Sequence, residues 1–412
     1  MKLFLCFFLF NLSAHARWTG QGEVALELRQ FSNDNLRTTE DRGIAVFSRL
    51  ESRYERRRKK FVFRGFARVD QHDTQRDFLS LEDSYFSYKV GRSQNLEFLA
   101  GYKLFNWTAT EAFHPADVIN SRNFDSNIES FEKKGELTLS AKQTIAEATV
   151  SVFLFPRYES PEFPGAKSRL GFGITLEEPK WVEGNGLFSE DHYGLQGGLR
   201  LTQTIGDLDY SLHFMRHLDR DNPLIEVNIL NGTFTPIFFP VDQVGGTATY
   251  VFESLIFKIE AAYRNFKEEM TILTARGPRR PQDHGRVAMG LEYTLTLPSG
   301  HDLNAFIEGQ GIFGLTQEKR AEQDIFQRDL FLGVRYALND SMGTEVFFSF
   351  ITDIERANES LYNLNITRRI SDNWKYKTGF RVVRAPLKSS FATGLETLHK
   401  DDNVFFNLTR YF

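Results

Sequence analysis

Alternation of apolar and polar residues with a period of two is the feature that most constrains this chain. It recurs from Gly20 to Phe412 in stretches of about ten residues, and a helical period is largely absent. One face of the clearest stretch carries Val287, Met289, Leu291, Tyr293, Leu295 and Leu297, and the other carries Ala288, Gly290, Glu292, Thr294 and Thr296. The pattern predicts strands that have one face in apolar surroundings and the other in water.

The alternating stretches give about eighteen strands when they are placed along the chain. They span residues 20–31, 42–53, 60–70, 80–90, 95–104, 130–142, 145–155, 191–203, 207–217, 243–253, 255–265, 285–297, 301–312, 327–338, 341–352, 359–370, 373–384 and 402–412. The stretch from Ser168 to Leu176 has room for one more strand. A soluble β-sandwich would also alternate, so the alternation alone leaves two fold classes open.

The lengths of the connections separate these two classes. Short, turn-like connections lie at 55–59, 91–94, 205–206, 253–254, 298–300, 339–340 and 371–372. The connections between them are longer, notably 105–129, 156–190, 218–242, 266–284 and 385–401. A sandwich has no reason to segregate long and short connections. The sequence therefore predicts an all-β fold: a single transmembrane antiparallel up-and-down β-barrel of about 18 strands (between about 16 and 20), with short periplasmic turns and long extracellular loops.

The first sixteen residues have the pattern of a secretory signal peptide. Lys2 supplies a positive charge, a short apolar stretch runs from Leu3 to Leu12, and Ala14 and Ala16 are small residues at the positions that a signal peptidase reads. The alternative is a buried N-terminal helix. Cys6 is the only cysteine and lies inside this segment, so we expect a mature chain, 17–412, without disulfides.

Composition excludes other classes of protein. A quarter of the residues are charged and the mean hydropathy is −0.37, which excludes a bundle of transmembrane helices in spite of 40 phenylalanines. A net charge of −4 gives no global reason to expect nucleic acid as a partner. No linker or low-complexity run divides residues 17–412, so one domain is expected.

The C-terminus carries the one local motif that resembles a known class. The chain ends on Phe412, preceded by Val404, Phe406 and Leu408 at alternate positions. This resembles the last strand of Gram-negative outer-membrane β-barrels, which typically ends in Phe and is read by the barrel-assembly machinery. Arg410 departs from the pattern because an aromatic or apolar residue usually stands there. With this motif and its strand count, the chain is similar to the larger porins of about 18 strands.

The resemblance implies a location in the cell outer membrane of a Gram-negative bacterium and a polar channel through the barrel. If the apolar faces contact lipid, the opposite positions line the lumen and set what passes. The expected basic lining residues are Arg49, Arg53, Arg64, Arg68, Arg369, Lys375, Lys377 and Arg381. The expected acidic lining residues are Glu260, Glu292, Asp302, Glu308, Asp329 and Glu345. We therefore expect a non-enzymatic, porin-like channel for passive diffusion of small hydrophilic, anionic or zwitterionic solutes. The alternative is that the inward charges only pair across strands.

The connection 105–129 is the candidate constriction loop. It is rich in aromatic residues, which a loop wholly in water would hardly need, and this favours a loop that folds into the barrel. Its candidate site residues are Trp107, Glu111, Asp117, Arg122 and Asp125. The alternative is a loop that packs on its neighbours over the barrel mouth.

Two further hypotheses come from other classes of function. A barrel plugged by its own loops could act in adhesion or surface interaction through the loops 156–190 and 218–242. A hydrolase at the rim could use His213 and His217, which share a face of the ninth strand, with Asp219 and Asp221 close by. No catalytic serine motif, metal-ligand spacing or cofactor fingerprint supports an enzyme, so we expect no catalytic residues, no metal and no cofactor.

The expected partners follow from the same hypothesis. They are outer-membrane lipids, the assembly machinery that reads the strand ending at Phe412, a small solute, and no nucleic acid. The basic run Arg56-Arg57-Arg58-Lys59-Lys60 lies on a periplasmic turn, where an anchor near phospholipid headgroups is expected. Porins commonly trimerise, so the resemblance also allows a homotrimer.

Overall fold

The computed structural model describes residues 17–32, 38–127, 130–171, 173–183, 186–268, 270–388 and 392–412. The predicted signal peptide, 1–16, lies outside the described residues, as does the end of the predicted loop 105–129.

Eighteen antiparallel strands form one sheet that closes on itself. They are β1 Arg17–Phe31, β2 Arg42–Arg56, β3 Lys59–Asp70, β4 in two segments, Phe78–Leu81 and Ser84–Val90, β5 Leu96–Lys103, β6 Glu136–Ile145, β7 Ala148–Phe155, β8 Gln196–Ile205, β9 Leu208–Leu218, β10 Pro240–Phe252, β11 Leu255–Phe266, β12 His284–Thr296, β13 Asp302–Phe313, β14 Arg328–Ala337, β15 Glu345–Asp353, β16 Ser360–Ser371, β17 Trp374–Arg384 and β18 Asn403–Tyr411. Each strand pairs with the next, and β1 pairs with β18, with Glu23 opposite Tyr411 and Phe31 opposite Asn403. The all-β barrel and its strand count are therefore confirmed.

Several predicted strands differ from the observed ones by a few residues at their ends, such as the eighth, predicted at 191–203 and observed at Gln196–Ile205, and two differ in more than that. The sixth was predicted at 130–142 but runs over Glu136–Ile145, because Ser130–Lys133 pairs with Arg122–Asn127 in a separate hairpin. The fourth is interrupted at Glu82 and Asp83, and both of its segments pair with β3. Between Ser168 and Leu176 the described residues form turns and no strand.

The predicted alternation places apolar side chains on the outside of the barrel. On β12, Met289, Leu291 and Tyr293 project outward and are exposed, whereas Ala288 on the inner face is fully buried. Long outward rows of this kind suit contact with lipid, and the inner rows carry the charged side chains. The alternation therefore determines which side chains reach the lumen.

Loops at the extracellular end add small elements of their own. They comprise the hairpin Arg122–Asn127 with Ser130–Lys133, a sheet of Lys180–Val182, Phe188–Ser189, Leu224–Asn228 and Thr233–Phe238, the hairpin Ile272–Thr274 with Gly277–Arg279, the α-helix Gln317–Gln323, and the 3-10 turns Thr74–Arg76 and Gly394–Leu398. Within the described ranges, no helix has the length and hydrophobicity needed to cross a membrane.

The principal apolar clusters of the described chain lie inside the barrel or among these loops. The first joins Phe113 of the connection between β5 and β6 to Phe306, Phe331 and Leu361 on the inner wall, and to Leu395 of a 3-10 turn. A second joins the same connection to the opposite wall. It comprises Trp107, Ile119, Phe153, Phe155 and Met215. The interior is thus partly filled by loops that pack on the wall.

The C-terminal strand keeps its alternation through the unusual Arg410. Val404 and Phe412 project outward and are exposed, and Arg410 lies on the same face. Its guanidinium group lies 5.7 Å from the ring centre of Trp374. A cation can occupy this aromatic and apolar row because its long side chain stacks on an indole ring at the end of the barrel.

Candidate functional site

The connection between β5 and β6, described at residues 104–127 and 130–135, enters the barrel and is called the inward loop below. Its Trp107 is almost fully buried, with the ring centre 5.7 Å from that of Phe153 and 5.1 Å from that of His213. The guanidinium group of Arg200 lies 4.6 Å from the Trp107 ring. These contacts hold the first part of the loop against β7, β8 and β9.

Two buried glutamates further round the wall, on β11 and β13, hold the middle of the inward loop. The carboxylate of Glu260 on β11 accepts hydrogen bonds from the backbone N–H of Thr110 at 2.9 Å, from the Thr110 hydroxyl at 2.7 Å and from the backbone N–H of Ala116 at 3.4 Å. Glu308 on β13 accepts from the backbone N–H of Ala112 at 2.8 Å. A charged acceptor that collects several backbone donors is a strong contact in a buried setting. The loop is therefore attached to the inner wall in two places, at β7–β9 and at β11 and β13.

Glu111 and Asp117, two of the predicted loop residues, make different contacts. Glu111 lies in the lumen and accepts a hydrogen bond from Arg335 of β14 at 2.8 Å, and both side chains are about 30% exposed. Asp117 is buried, where it accepts from the backbone N–H of Trp107 at 3.3 Å and pairs with Lys133. Glu111 is therefore open to solutes, whereas Asp117 supports the loop.

Arg122 and Asp125 join the inward loop to other loops. Arg122 donates to the backbone carbonyl of Asp117 at 2.8 Å and lies 3.7 Å from the carboxylate of Asp221. The carboxylate of Asp125 is buried and accepts from the Ser168 hydroxyl at 2.6 Å. Burial raises the pKa of Asp125 to about 6. The five predicted loop residues thus belong to one structure without converging on a single point.

A chamber of about 330 Å³ lies beside the inward loop in the outer half of the lumen. Its lining includes Phe113, Arg122, Asp221, Asp324 and Arg286 of β12. Arg286 and Asp324 form an ion pair of 2.6 Å. Burial opposes ionisation of Asp221, but the guanidinium groups of Arg122, Arg264 and Arg286 hold the pKa of this carboxyl below its usual range. The chamber therefore presents charges of both signs.

Two wider cavities lie towards the ends of the barrel. The outer one, about 690 Å³, is lined by loop residues that include Arg279 and Glu322, and it shares Asn222 and Gln323 with the chamber. The cavity at the periplasmic mouth, about 480 Å³, is lined by residues that include Arg64. Cavities therefore lie on the outer side of the lumen and at its periplasmic mouth.

The predicted basic residues on β2 and β3 face the lumen, and they are paired with acids. Arg49 contacts Glu23, and its Nε lies 3.0 Å from Glu82. Arg64 also reaches Glu82, at 2.7 Å. Arg53 is more exposed and lies 3.3 Å from Glu51. The alternative that inward charges pair across strands describes this part of the wall.

The remaining predicted basic residues divide into a buried and an open group. Arg68 is buried between Glu27 and Glu132, and Arg381 pairs with Asp401 at 2.6 Å. Arg369 and Lys375 are opposite each other on β16 and β17, and Lys377 follows on the same inner face, 5.8 Å from the Phe405 ring. Across the described ranges, neither Arg369 nor Lys375 has an ion-pair partner. Arg369, Lys375 and Lys377 therefore lie near the periplasmic mouth.

The predicted acidic residues also face inward, but they do not form one open surface. Beyond Glu260 and Glu308, Glu292 pairs with Lys258 at 2.6 Å, and Glu345 lies 3.5 Å from Arg335. Asp329 is buried, and Asp302 is at the periplasmic end, where it accepts from Asn339 at 2.9 Å. Sequence reasoning did not identify Glu23, Glu27 or Glu82 as partners of the arginines. The alternation on β1 could have identified the first two, whereas Glu82 lies in the interruption of β4.

The two histidines proposed for a rim hydrolase are buried on the inner face of β9. The ring of His213 packs against that of Trp107 at an angle of 43°, and its Nε2 lies 3.2 Å from the side-chain amide of Gln243. Nδ1 of His217 lies 2.7 Å from the backbone carbonyl of Leu218. Asp219 pairs with Arg264 at 3.1 Å. In the described part of the chain, no group of three or more His, Cys, Asp or Glu side chains is arranged to hold a metal ion.

Comparison with known proteins adds a fold likeness. No protein-family model matches the sequence, and no curated protein matches it significantly. Among solved structures, OccAB1 of Acinetobacter baumannii superposes with a TM-score of 0.54 at 7% identity, covering 96% of each chain. A BenF-like porin of Pseudomonas fluorescens Pf-5 gives 0.53 at 8% identity, covering 96% of this chain and 98% of its own. OccD3 (OpdP) of Pseudomonas aeruginosa gives 0.52 at 10%, covering 96% and 91%.

The fold is that of a Gram-negative outer-membrane β-barrel. The likeness extends over nearly the whole chain, and the closed 18-stranded sheet with its apolar outer face agrees with it. The predicted similarity of this outer-membrane barrel to the larger porins is therefore confirmed at the level of the fold.

Proposed function

We propose that this outer-membrane barrel is a porin-like, non-enzymatic channel for passive diffusion of small hydrophilic solutes. The observation that carries the proposal is a hollow lumen with charged walls, narrowed by the inward loop, with cavities of about 690 and 330 Å³ on its outer side and about 480 Å³ at its periplasmic mouth. Barrels of this width enclose an aqueous space that smaller barrels fill with side chains. The solved structure described as a BenF-like porin supports the same function by its fold.

The solutes of this proposal are anionic or zwitterionic. Arg369 and Lys375 offer an attractive site at the periplasmic mouth, because neither has an ion-pair partner among the described residues. Elsewhere in the lumen, exposed charges of opposite sign lie next to each other, as Arg335 and Glu111 do. Such a lining favours dipolar solutes and suits conduction, which needs several weak sites.

The proposal includes the partners expected of such a barrel. We propose that the strand ending at Phe412 is read by the barrel-assembly machinery, and that lipids surround the outward apolar rows. A homotrimer is part of the proposal as one arrangement of the barrels in the membrane.

Ion selectivity provides the test at Lys375. Single-channel currents of the mature chain in a planar bilayer, with a tenfold salt gradient, give the reversal potential. We expect Lys375→Glu to shift the anion/cation permeability ratio several-fold towards cations, because it reverses an inward charge near the periplasmic mouth. Arg92→Glu is the matched control, since it makes the same change of charge on an exposed periplasmic turn. Equal ratios in the three proteins would contradict a solute path along Lys375.

The second candidate function is a barrel plugged by its loops that acts in surface interaction. It is favoured by the attachment of the inward loop at two places on the inner wall, through Trp107 at β7–β9 and through Glu260 and Glu308 at β11 and β13. A folded barrel that gives no current in the same bilayers would favour this candidate over the channel.

A further inference from the structure

The turn between β2 and β3 concentrates positive charge at the periplasmic end of the barrel. Arg56 and Lys59 are opposite each other on the two strands, and Arg57 and Arg58 form the turn between them. All four side chains are exposed. Four cations within one tight turn repel one another, which favours a bound anion.

The direction of the strands points two of these cations towards lipid. On β2 the outward residues are even-numbered, as exposed Val46 and Leu50 show, and Arg56 continues this row. On β3 they are odd-numbered, as exposed Phe61 and Phe63 show, and Lys59 continues that row. The side chains of Arg56 and Lys59 therefore leave the barrel on its lipid-facing side.

Aromatic residues place this pair at the depth of the headgroups. The rings of Trp18 and Tyr54, on the outer face of β1 and β2, have centres 5.1 Å apart. Trp374 occupies the same end of β17. Tryptophan and tyrosine side chains collect at the boundary between the acyl chains and the headgroups. Arg56 follows Tyr54 on the same outward row of β2, two residues closer to the turn. Its guanidinium group therefore lies on the water side of that boundary.

Charge is distributed unevenly among the periplasmic turns. The two-residue turns Ala146–Glu147, Gly206–Asp207 and Glu253–Ser254 each contain an acid and no cation. By contrast, none of the residues 56 to 59 forms an ion pair with any other described residue. The four cations of this turn are therefore not neutralised by side chains of the described residues.

We propose that Arg56 and Lys59, assisted by Arg57 and Arg58, bind the phosphate of an anionic phospholipid in the periplasmic leaflet. A guanidinium group donates two parallel hydrogen bonds to phosphate oxygens, and an ammonium group adds a point charge. A zwitterionic headgroup is a poorer ligand because its own ammonium group is repelled by the four cations. The rings of Trp18 and Tyr54 contact the glycerol region below the phosphate. This site is independent of whether the barrel conducts.

Native mass spectrometry of the full mature barrel with equimolar phosphatidylglycerol and phosphatidylethanolamine tests the proposal. An exposed cation enriches anionic lipid by about fivefold, so we expect a marked excess of bound phosphatidylglycerol on the unmodified protein. Arg56→Gln should reduce this excess, and the double change Arg56→Gln with Lys59→Gln should reduce it further, because only Arg57 and Arg58 then remain. The matched control for the single change is Arg368→Gln, which removes one exposed cation from the β16 end of the same rim. Heat-modifiable migration in gels verifies that each variant is folded.

The outcomes separate the sources of the anion. A preference that survives millimolar inorganic phosphate and is reduced only in the Arg56 and Lys59 variants supports the lipid site. Loss of the preference on adding phosphate would assign the turn to free phosphate and overturn the proposal. Equal retention of both lipids by the unmodified protein, or an undiminished preference in the double variant, would also overturn it, as would binding of an acidic peptide without any lipid preference.

Discussion

Charged side chains buried inside the barrel determine how tightly its loops are held. Arg68 lies between Glu27 and Glu132, so one guanidinium group joins the wall to the inward loop. Removing one partner of such a pair leaves an uncompensated buried charge, which costs more than the pair contributes. Asp125 differs because its carboxylate is buried with a neutral donor, the hydroxyl of Ser168, at 2.6 Å. The loops around it should therefore respond to pH.

We expect the hairpin that carries Asp125 to be more stable in weak acid. Its folded pKa of about 6 exceeds the value of about 3.9 for an unfolded aspartate. The resulting stabilisation is fully present below the unfolded pKa and is lost as the pH rises through about 6; its total is about 3 kcal/mol, and about half of it is lost between pH 5 and pH 7.5. Hydrogen exchange of the segment Arg122–Asn127 at pH 5 and pH 7.5, corrected for intrinsic rates, measures it.

Asp125→Asn provides the comparison for this measurement. Asparagine keeps an acceptor for the Ser168 hydroxyl but does not ionise, so protection should be high at both pH values. An unchanged pH dependence in Asp125→Asn would show that another group is responsible.

Sequence reasoning at this scale identified directions but not partners. The period of two placed Arg49, Arg64 and Arg68 on inward-facing positions, because strand geometry alone sets the side of the sheet. It could not show that Glu82 lies between Arg49 and Arg64, since Glu82 lies in an interruption of β4. Whether such charges line a solute path stays a prediction.

At the scale of the element, the inward loop is attached more firmly to β11 and β13 than its sequence alone suggests. Its aromatic content predicted an inward position, and Trp107 and Phe113 do pack on opposite walls. Glu260 and Glu308 were predicted as inward acids, yet they hold the loop backbone. Residues about 150 positions apart in the chain are in contact here, and alternation within one strand carries no information about such a contact.

We expect Glu260→Ala to loosen the inward loop. The change removes the acceptor of the Thr110 and Ala116 backbone N–H groups, and buried donors without partners cost about 1–3 kcal/mol each. If the chain conducts, its single-channel current should become larger and noisier, and hydrogen exchange of residues 108–117 should accelerate in either case.

Glu292→Ala is the control for Glu260→Ala. It removes an inward acid of the neighbouring strand that pairs with Lys258. Equal effects of the two changes on exchange of the inward loop would contradict an anchoring role for Glu260.

For the whole molecule, closure depends on the pairing of the first strand with the last. The terminal residue contributes directly, because the backbone N–H of Phe412 donates to the carbonyl of Gly22 at 3.0 Å and the carbonyl of Phe412 accepts from Gly22 at 2.9 Å. The alternation of short and long connections could predict at which end of the barrel, periplasmic or extracellular, each strand begins. It could therefore also predict the strand count. The interruption of β4 and the extent of β6 could not, because loop hairpins imitate strands in sequence.

We expect Gly22→Ile to impair closure of the barrel. A β-carbon at Gly22 would lie 2.5 Å from Cε2 of the Phe412 ring and 2.8 Å from the side chain of Leu50, so the ring must move. Overpacking of this kind costs about 1–3 kcal/mol. Urea unfolding in phospholipid vesicles and the folded fraction on unheated gels measure the loss.

Gly20→Ile serves as the matched control, because at this position a β-carbon would have only the backbone oxygen of Glu51 within 4 Å, at 3.9 Å. Both substitutions make the same change in strand propensity. A loss as large in Gly20→Ile as in Gly22→Ile would exclude the Phe412 ring as the cause.

The way the two glutamates hold the inward loop has a consequence for how such a barrel can diversify. Most of the donors at positions 109–112 and 116 are main-chain N–H groups, which every residue except proline possesses. The side chain at 111 can therefore change by mutation while Glu260 and Glu308 still hold the backbone in place. A lineage could exchange Glu111 for a residue of another size or charge and alter what the interior accepts without having to evolve a new support for the loop.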